Sequence, residues 1–421
     1  MASNISEVTE GIYRLSANAE DILFEGIWPI PNGVSLNSFF VKGDKVAIVD
    51  GVCGWDGVPE TLFAQLEQMQ VALSSIDYVI INHMEPDHSG WLEAFIALRG
   101  NDFTIVTSQK AVPLLEAFYG IHHEKICVVK DGDTIDLGQG HVLSFVEIPN
   151  VHWPETIATF DAKSGTLMPC DAFGSFGSIH DSPYDDQLTQ AEIDFFEQEA
   201  VRYYSNIVGA FSPAAGKAIQ KVEHGLGDKL KIVAPGHGIV WRKHPQKIID
   251  DYKRYVRYQK GPAKEEITII WGSMYGNTES AIVDIVAALD KASMKYHIHR
   301  VPETHIGDIL ASVWTSTGVI LAMPTYEYKM FPPMANVLDE IARKKAHGRY
   351  VFRLGSYGWS GGAQTELDEI MHRYKTGWHF IEPVEFRGHP TAEDRATIQL
   401  RTGELCNLVR SAIHNQADEV V

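Results

Sequence analysis

The run His83-Met84-Glu85-Pro86-Asp87-His88 sets four side chains capable of binding a metal within six residues, directly behind the apolar, strand-like segment Ile76-Asp77-Tyr78-Val79-Ile80-Ile81. Two carboxylates and two imidazoles on one loop are costly to bury unless a cation neutralises them. Three more candidates follow on loops marked by Gly or Pro at strand ends: His152 in Asn150-Val151-His152-Trp153-Pro154, Asp171 in Pro169-Cys170-Asp171-Ala172, and His237 in Pro235-Gly236-His237-Gly238. Such loops are where a rigid scaffold presents ligands. The set divides between two ions, with His83, Glu85 and His152 on one, Asp87, His88 and His237 on the other, and Asp171 between them. Taken singly, His152 or His237 is more often an ordinary core or surface histidine, and Asp171 could cap a turn; the cluster at 83–88 carries the assignment. Glu85, a hard anionic oxygen donor, favours iron over zinc.

A chain of 421 residues, 45% apolar and 22% charged, is too long for one core, so two domains are expected. The formal charge of −19 argues against nucleic acid and anionic membranes as partners, since both need clustered Lys and Arg. Most of that charge lies in residues 1–261, and its plain meaning is solubility. Cys53, Cys127, Cys170 and Cys406 are scattered without a Cys-x-x-Cys pair, which predicts buried, reduced thiols rather than disulfides or a thiolate metal site. No basic-then-apolar signal opens the chain, and apolar runs such as Val319-Ile320-Leu321-Ala322-Met323 are too short to span a bilayer. A soluble, cytoplasmic protein is expected.

Around Gly261-Pro262 the texture changes from a Lys/Arg/Tyr-rich helical stretch to the β-branched run Ile267-Thr268-Ile269-Ile270, which sets the expected boundary between domains 1–261 and 262–421. The first domain mixes strands (45–50, 78–82, 103–107, 141–148, and 156–168 broken by a turn at Lys163-Ser164-Gly165) with helical patterns at 61–69 and 111–119, an α/β sandwich of sheets flanked by helices. The second alternates regularly, with strands at 267–271, 296–301, 318–323 and 350–354 and helices at 279–290, 333–343 and 365–373. That order predicts a doubly wound parallel sheet.

In the second domain a strand runs into Gly272-Ser273-Met274-Tyr275-Gly276-Asn277-Thr278 and then a helix, so backbone amides and the Ser273 and Thr278 hydroxyls form a phosphate cradle. The loop lacks the Lys of a triphosphate-binding loop, which suits a monophosphate ester. Two later strand ends carry Pro324-Thr325-Tyr326-Glu327-Tyr328 and Gly355-Ser356-Tyr357-Gly358-Trp359-Ser360-Gly361-Gly362. Three such ends meet at the switch point of a doubly wound sheet, where a flat cofactor lies against Tyr326 or Trp359. Aromatic core packing explains the rings but not three Gly/Ser/Thr loops at matching ends.

With His in place of Glu85, the 83–88 spacing resembles that of zinc hydrolases of the metallo-β-lactamase fold. With Glu there, and with His152, Asp171, His237 and the loop at 273–278 in order behind it, nearly the whole chain resembles the flavodiiron proteins, or A-type flavoproteins. The resemblance implies a metallo-β-lactamase-like αββα sandwich followed by a flavodoxin-like sheet, two irons bridged by Asp171, and FMN. It implies reduction of dioxygen to water, of nitric oxide to nitrous oxide, or both, with electrons from a separate donor such as rubredoxin. A head-to-tail homodimer, or a tetramer of two such dimers, is implied as well. The chain is similar to the minimal two-domain members, without paired cysteines for a rubredoxin iron. Glu25 stands where many relatives carry His near the metals, which makes it a candidate for substrate preference. Members differ in whether the residue at the His88 position reaches iron.

Two rivals are discriminated by simple observations. A zinc hydrolase fused to a flavodoxin module would use a metal-bridged hydroxide and contain zinc with little iron. A redox carrier or gas sensor would bind ligand without multiple turnover.

Overall fold

The structure, a computed structural model, describes residues 4–52, 60–122 and 124–419. It forms two compact units, Met1–Lys253 and Arg254–Val421. Their division falls within the helix Pro245–Tyr258, just before the change of texture at Gly261-Pro262.

In the first unit the buried strands alternate with period 2 and feed two cores. Phe39, Val41, Ala47, Val49, Ile80 and Val106 face one side of the sheet, whereas Phe40, Ile48, Val79 and Ile105 face the other. The seven strands run Asn4–Thr9, Ile12–Ala19, Val34–Lys42, Val46–Val49, Tyr78–Ile80, Thr104–Thr107 and Ile126–Val128. The first face packs on Leu137, Leu143, Phe145, Ile157 and Met168 of a second sheet, whose order is Thr134–Gly138, His141–Glu147, Ile157–Asp161, Thr166–Met168 and Ile232–Val233. Against the other face lie Leu62, Leu66, Leu92, Phe95 and Leu115 from the helices Glu60–Gln68, Leu92–Arg99 and Val112–Tyr119. The helix Ser212–Leu226 packs on His141–Glu147, outside the second sheet. The result is an αββα sandwich. The helix Gln190–Tyr203 begins with a capping box in which Thr189 and Glu192 satisfy each other's backbone N–H. The turn expected at residues 163–165 separates Ile157–Asp161 from Thr166–Met168.

In the second unit every pairing of the main sheet is parallel, in the order Lys295–Arg300, Lys264–Trp271, Ser316–Ala322, Tyr350–Tyr357, with His379–Phe380 and Val384–Arg387 both pairing with Tyr350–Tyr357. This is the 2-1-3-4-5 order of flavodoxin-like sheets. Ile267, Ile269, Ile320, Phe352 and Leu354 form a core with the helices Glu279–Lys291 and Ala392–Glu419. The helix Ile306–Thr315 packs on Lys264–Trp271 and Ser316–Ala322, and Pro332–Arg343 packs between it and Ala363–Tyr374. One expectation is corrected. The stretch from Gly355 begins not as a loop but as strand, because Gly355, Ser356 and Tyr357 pair with Glu385, Phe386 and Arg387. No helix among the described residues is long and apolar enough to cross a membrane. Cys170 and Cys406 are buried and free, Cys127 is half-buried and free, and Cys53 lies outside the described residues.

Candidate metal centre and cofactor cleft

All seven predicted ligands lie beyond strand ends at one end of the sandwich. His83 follows Tyr78–Ile80, and Glu85 caps a short helix, Pro86–Ser89, that carries Asp87 and His88 and starts with the pre-set φ of Pro86. His152 follows His141–Glu147, Asp171 follows Thr166–Met168, and His237 follows Ile232–Val233.

Asp171 is the meeting point. Its Oδ1 lies 2.9 Å from His88 Nε2 and 3.1 Å from His237 Nε2. Its Oδ2 lies 3.2 Å from both His83 Nε2 and His152 Nε2. Glu85 Oε2 joins the second pair, at 3.2 Å from His83 Nε2 and 2.9 Å from His152 Nε2. Asp87 Oδ2 joins the first, at 3.5 Å from His88 Nε2 and 3.4 Å from His237 Nε2. The ligand atoms of His83, Glu85, His152 and Asp171 lie within 4.8 Å of one another, as do those of Asp87, His88 and His237. His88 also forms a group of the same compactness with Asp50 and Cys170.

The donor set fits a pair of cations. Both oxygens of Asp87 are buried without a hydrogen-bond partner among the described residues. His88 Nε2 and His237 Nε2 face each other at 3.2 Å, a gap that can hold only one proton. Burial opposes charge throughout, and mutual pairing decides the outcome. Burial raises the Glu85 carboxyl, but hydrogen bonds from His152 and His83 override it and hold it at about 2. Asp171 falls well below the carboxylate range, as the attraction of His88 and His83 outweighs its burial. His88 rises to about 10 and His152 to about 9, in each case against burial, through their carboxylate neighbours. Asp87 is the exception, since burial pushes its carboxyl up. The carboxylates thus demand positive charge that protons or divalent cations can supply. Carboxylate oxygen with imidazole nitrogen is a hard to borderline set suited to iron.

The sequence reading missed the groups around the ligands. Glu155 Oε1 lies 2.8 Å from His83 Nδ1, and the Ser35 carbonyl lies 2.9 Å from His237 Nδ1. Trp153 stands edge-on to His83 at 5.0 Å. Tyr203, fully buried with no hydrogen-bond partner for its hydroxyl among the described residues, has its ring 5.6 Å from that of His237. Of these, only the position of Glu155 in the segment after His152 was a visible signal. Glu25 is exposed, with φ +50°, and accepts a 2.9 Å hydrogen bond from Trp28 Nε1. Its neighbour Phe24 is the residue that packs edge-on to His237, at 5.6 Å.

The second unit has a cleft of about 310 Å³ where the first, third and fourth strands of its chain order end. It is lined by Met274, Tyr275 and Asn277, by Pro324, Thr325, Tyr326 and Glu327, and by Ser356, Tyr357, Gly358, Trp359 and Ser360, all predicted. Tyr328 and Gly388 line it as well. Ser273, Gly276, Thr278 and Gly361 shape the loops behind that lining. Gly276, at φ +80°, donates its N–H to Ser273 Oγ at 3.0 Å, and buried Thr278 Oγ1 lies 3.0 Å from Ser356 Oγ. Thr325 Oγ1 is buried without a partner among the described residues. Trp359 is 76% exposed and Tyr275 86% exposed at the rim, an arrangement that offers ring faces to a flat ligand. An orphaned hydroxyl, open rings and a Gly/Ser/Thr loop at a helix start fit FMN.

The comparisons agree in both units. Residues 34–238 match the family described as ODP family beta lactamase. The anaerobic nitric oxide reductase flavorubredoxin of Vibrio vulnificus is 34% identical over 355 residues, covering 82% of this chain and 67% of the relative. The nitric oxide reductase of Moorella thermoacetica is 29% identical over 370 residues, covering 87% of this chain and 90% of the relative. A solved mutant of the flavo di-iron protein of Thermotoga maritima has a TM-score of 0.86 at 27% identity, covering 97% of this chain and 99% of that one. Likeness of this extent, joined to a diiron-type ligand cluster on a metallo-β-lactamase-like unit with a flavodoxin-like unit behind it, makes the chain a member of the flavodiiron protein family and an oxidoreductase.

Proposed function

We propose that this protein reduces dioxygen to water, nitric oxide to nitrous oxide, or both, as a detoxifying enzyme. Electrons would come from a separate small donor such as rubredoxin and pass through FMN. The observation that carries the reading is the placement of Asp171, whose two oxygens face different histidine pairs. In this reading His83, Glu85 and His152 hold one iron, Asp87, His88 and His237 the other, and Asp171 both. When bound, a diferrous pair would supply reducing equivalents for the gas, and FMN a path for their replacement.

The residues of the chain set the conditions for that chemistry. Three carboxylates would offset most of the charge of two divalent cations, which favours retention of ferrous iron in a buried site. Trp153, Phe24 and Tyr203 wall the imidazoles with aromatic surface, which limits water around the ligands. In the other unit, Tyr326 and Trp359 would offer ring faces to a bound isoalloxazine, and the Ser273 to Thr278 loop would hold its phosphate. We further infer a cytoplasmic enzyme that works as a head-to-tail homodimer, or as a tetramer of such dimers, so that the flavin of one chain serves the metal centre of another.

The test uses full-length protein verified to hold iron and FMN, supplied with excess reduced rubredoxin, and follows dioxygen and nitric oxide in parallel. Repeated turnover of either gas is expected, and the ratio of the two rates assigns the preferred substrate. Inertness of this iron- and FMN-loaded protein toward both gases would overturn the proposal.

A further inference from the structure

Two of the histidines in the cluster are held from behind by different kinds of acceptor. His237 Nδ1 faces a neutral group, the Ser35 carbonyl, at 2.9 Å. His83 Nδ1 faces a carboxylate, Glu155 Oε1, at 2.8 Å. Neither acceptor can donate, so each fixes Nδ1 as the protonated nitrogen and turns Nε2 toward the cluster. The same Glu155 Oε1 receives the Met84 N–H at 3.0 Å, and the Glu155 carbonyl receives Ser108 Oγ–H at 2.6 Å. Glu155 is thereby pinned to the 83–88 loop and to the neighbouring strand end. It is 2% exposed, and its Oε2 is buried with no hydrogen-bond partner among the described residues, so its carboxylate is turned through Oε1 to His83 Nδ1 and the Met84 N–H.

We propose that Glu155 is a positioning residue that makes the half-site of His83, Glu85 and His152 the tighter of the two metal sites. This rests on the metal-binding reading above. A carboxylate behind a ligating imidazole raises its basicity and fixes its ring, where a carbonyl does only the second. The half-site built on His83 therefore gathers Glu85 and a Glu155 hydrogen-bonded directly to the imidazole, whereas that of His88 and His237 has Asp87, a neutral carbonyl, and an Asp50 that stands near His88 but accepts from Asn82 N–H instead. The chain then loads its two ions in sequence, the His83 side first.

The experiment titrates Co(II) into metal-free, full-length protein, reading visible absorption and bound metal. Wild type is expected to take up two ions in two phases. Glu155→Gln, which keeps the shape and removes the charge, should weaken the tighter phase by about 10- to 100-fold and leave the weaker phase in place. If circular dichroism shows Glu155→Gln unfolded, Glu155→Asp, which keeps the charge but shortens its reach, should weaken the same phase. Two wild-type phases that persist in the folded variant, or that weaken together as a merely structural role would make them, overturn the assignment of Glu155. Wild type that takes up fewer than two ions overturns the metal-site reading itself.

Discussion

Asp171 Oδ1 stands 2.9 Å from His88 Nε2, while the other oxygen of the same carboxylate faces His83 and His152. One side chain thus balances both halves of a buried cluster. Asp171→Asn keeps the shape and removes the charge. Breaking such buried pairing costs about 3–5 kcal/mol, so the variant should lose bound iron and gas turnover together, with FMN retained. Metal analysis beside flavin absorbance checks this, and two irons with full activity would remove Asp171 from the centre.

Thr278→Val tests the cofactor cleft separately. Thr278 Oγ1 lies 3.0 Å from Ser356 Oγ, in the loop that starts the helix Glu279–Lys291. Val removes this hydrogen bond from behind the cradle, a loss of about 1 kcal/mol, which should loosen the loop and raise the FMN dissociation constant by up to about fivefold. Iron content should not change. Flavin retention equal to wild type would place the phosphate elsewhere.

The architecture was legible because both units announce themselves locally. Short continuous apolar runs such as Val46–Val49 and Tyr78–Ile80, and the regular strand and helix order after Ile267, are local signals that survive in one sequence. The buried cluster was legible because His83, Glu85, Asp87 and His88 are close together in the chain. Ser35 and Tyr203 were not, since their roles come from backbone and aromatic packing between segments distant in sequence, and Glu155 showed only as an acid close behind His152. The strand Tyr350–Tyr357 ran past its expected end at Leu354 for a related reason. Gly355 and Ser356 look like a turn, but pairing with Glu385 and Phe386 keeps them extended.

Glu266 gives an acid-stability prediction for the second unit. Burial raises its carboxyl, but His297 at 3.0 Å and Lys295 at 2.7 Å override it and hold it at about 2. The unfolded chain binds the proton nearer 4.5, so the stabilisation is complete above that pH and is lost as pH falls toward 2. It is on the order of 2–3 kcal/mol. Glu266→Gln should lower stability near neutral pH and flatten the acid limb between those values. Chemical denaturation at several pH values reads this directly, and parallel acid limbs would count against it.

Gly236→Ala reaches the other half of the metal centre. A Cβ at 236 would lie 2.9 Å from His88 Cε1 and 3.2 Å from the Cys170 carbonyl. The backbone cannot retreat, because Gly236 N–H is donated to Cys170 O at 2.6 Å and Gly236 O accepts from Asn37 N at 2.7 Å. His88 must therefore move, at an overpacking cost of about 1–3 kcal/mol. The half-site of Asp87, His88 and His237 should weaken while that of His83 keeps its ion, the reverse of what Glu155→Gln does. Metal titration of the variant should thus lose the weaker phase first. Two ions bound as tightly as in wild type, with His88 displaced in a crystal structure of the variant, would show that His88 does not ligate.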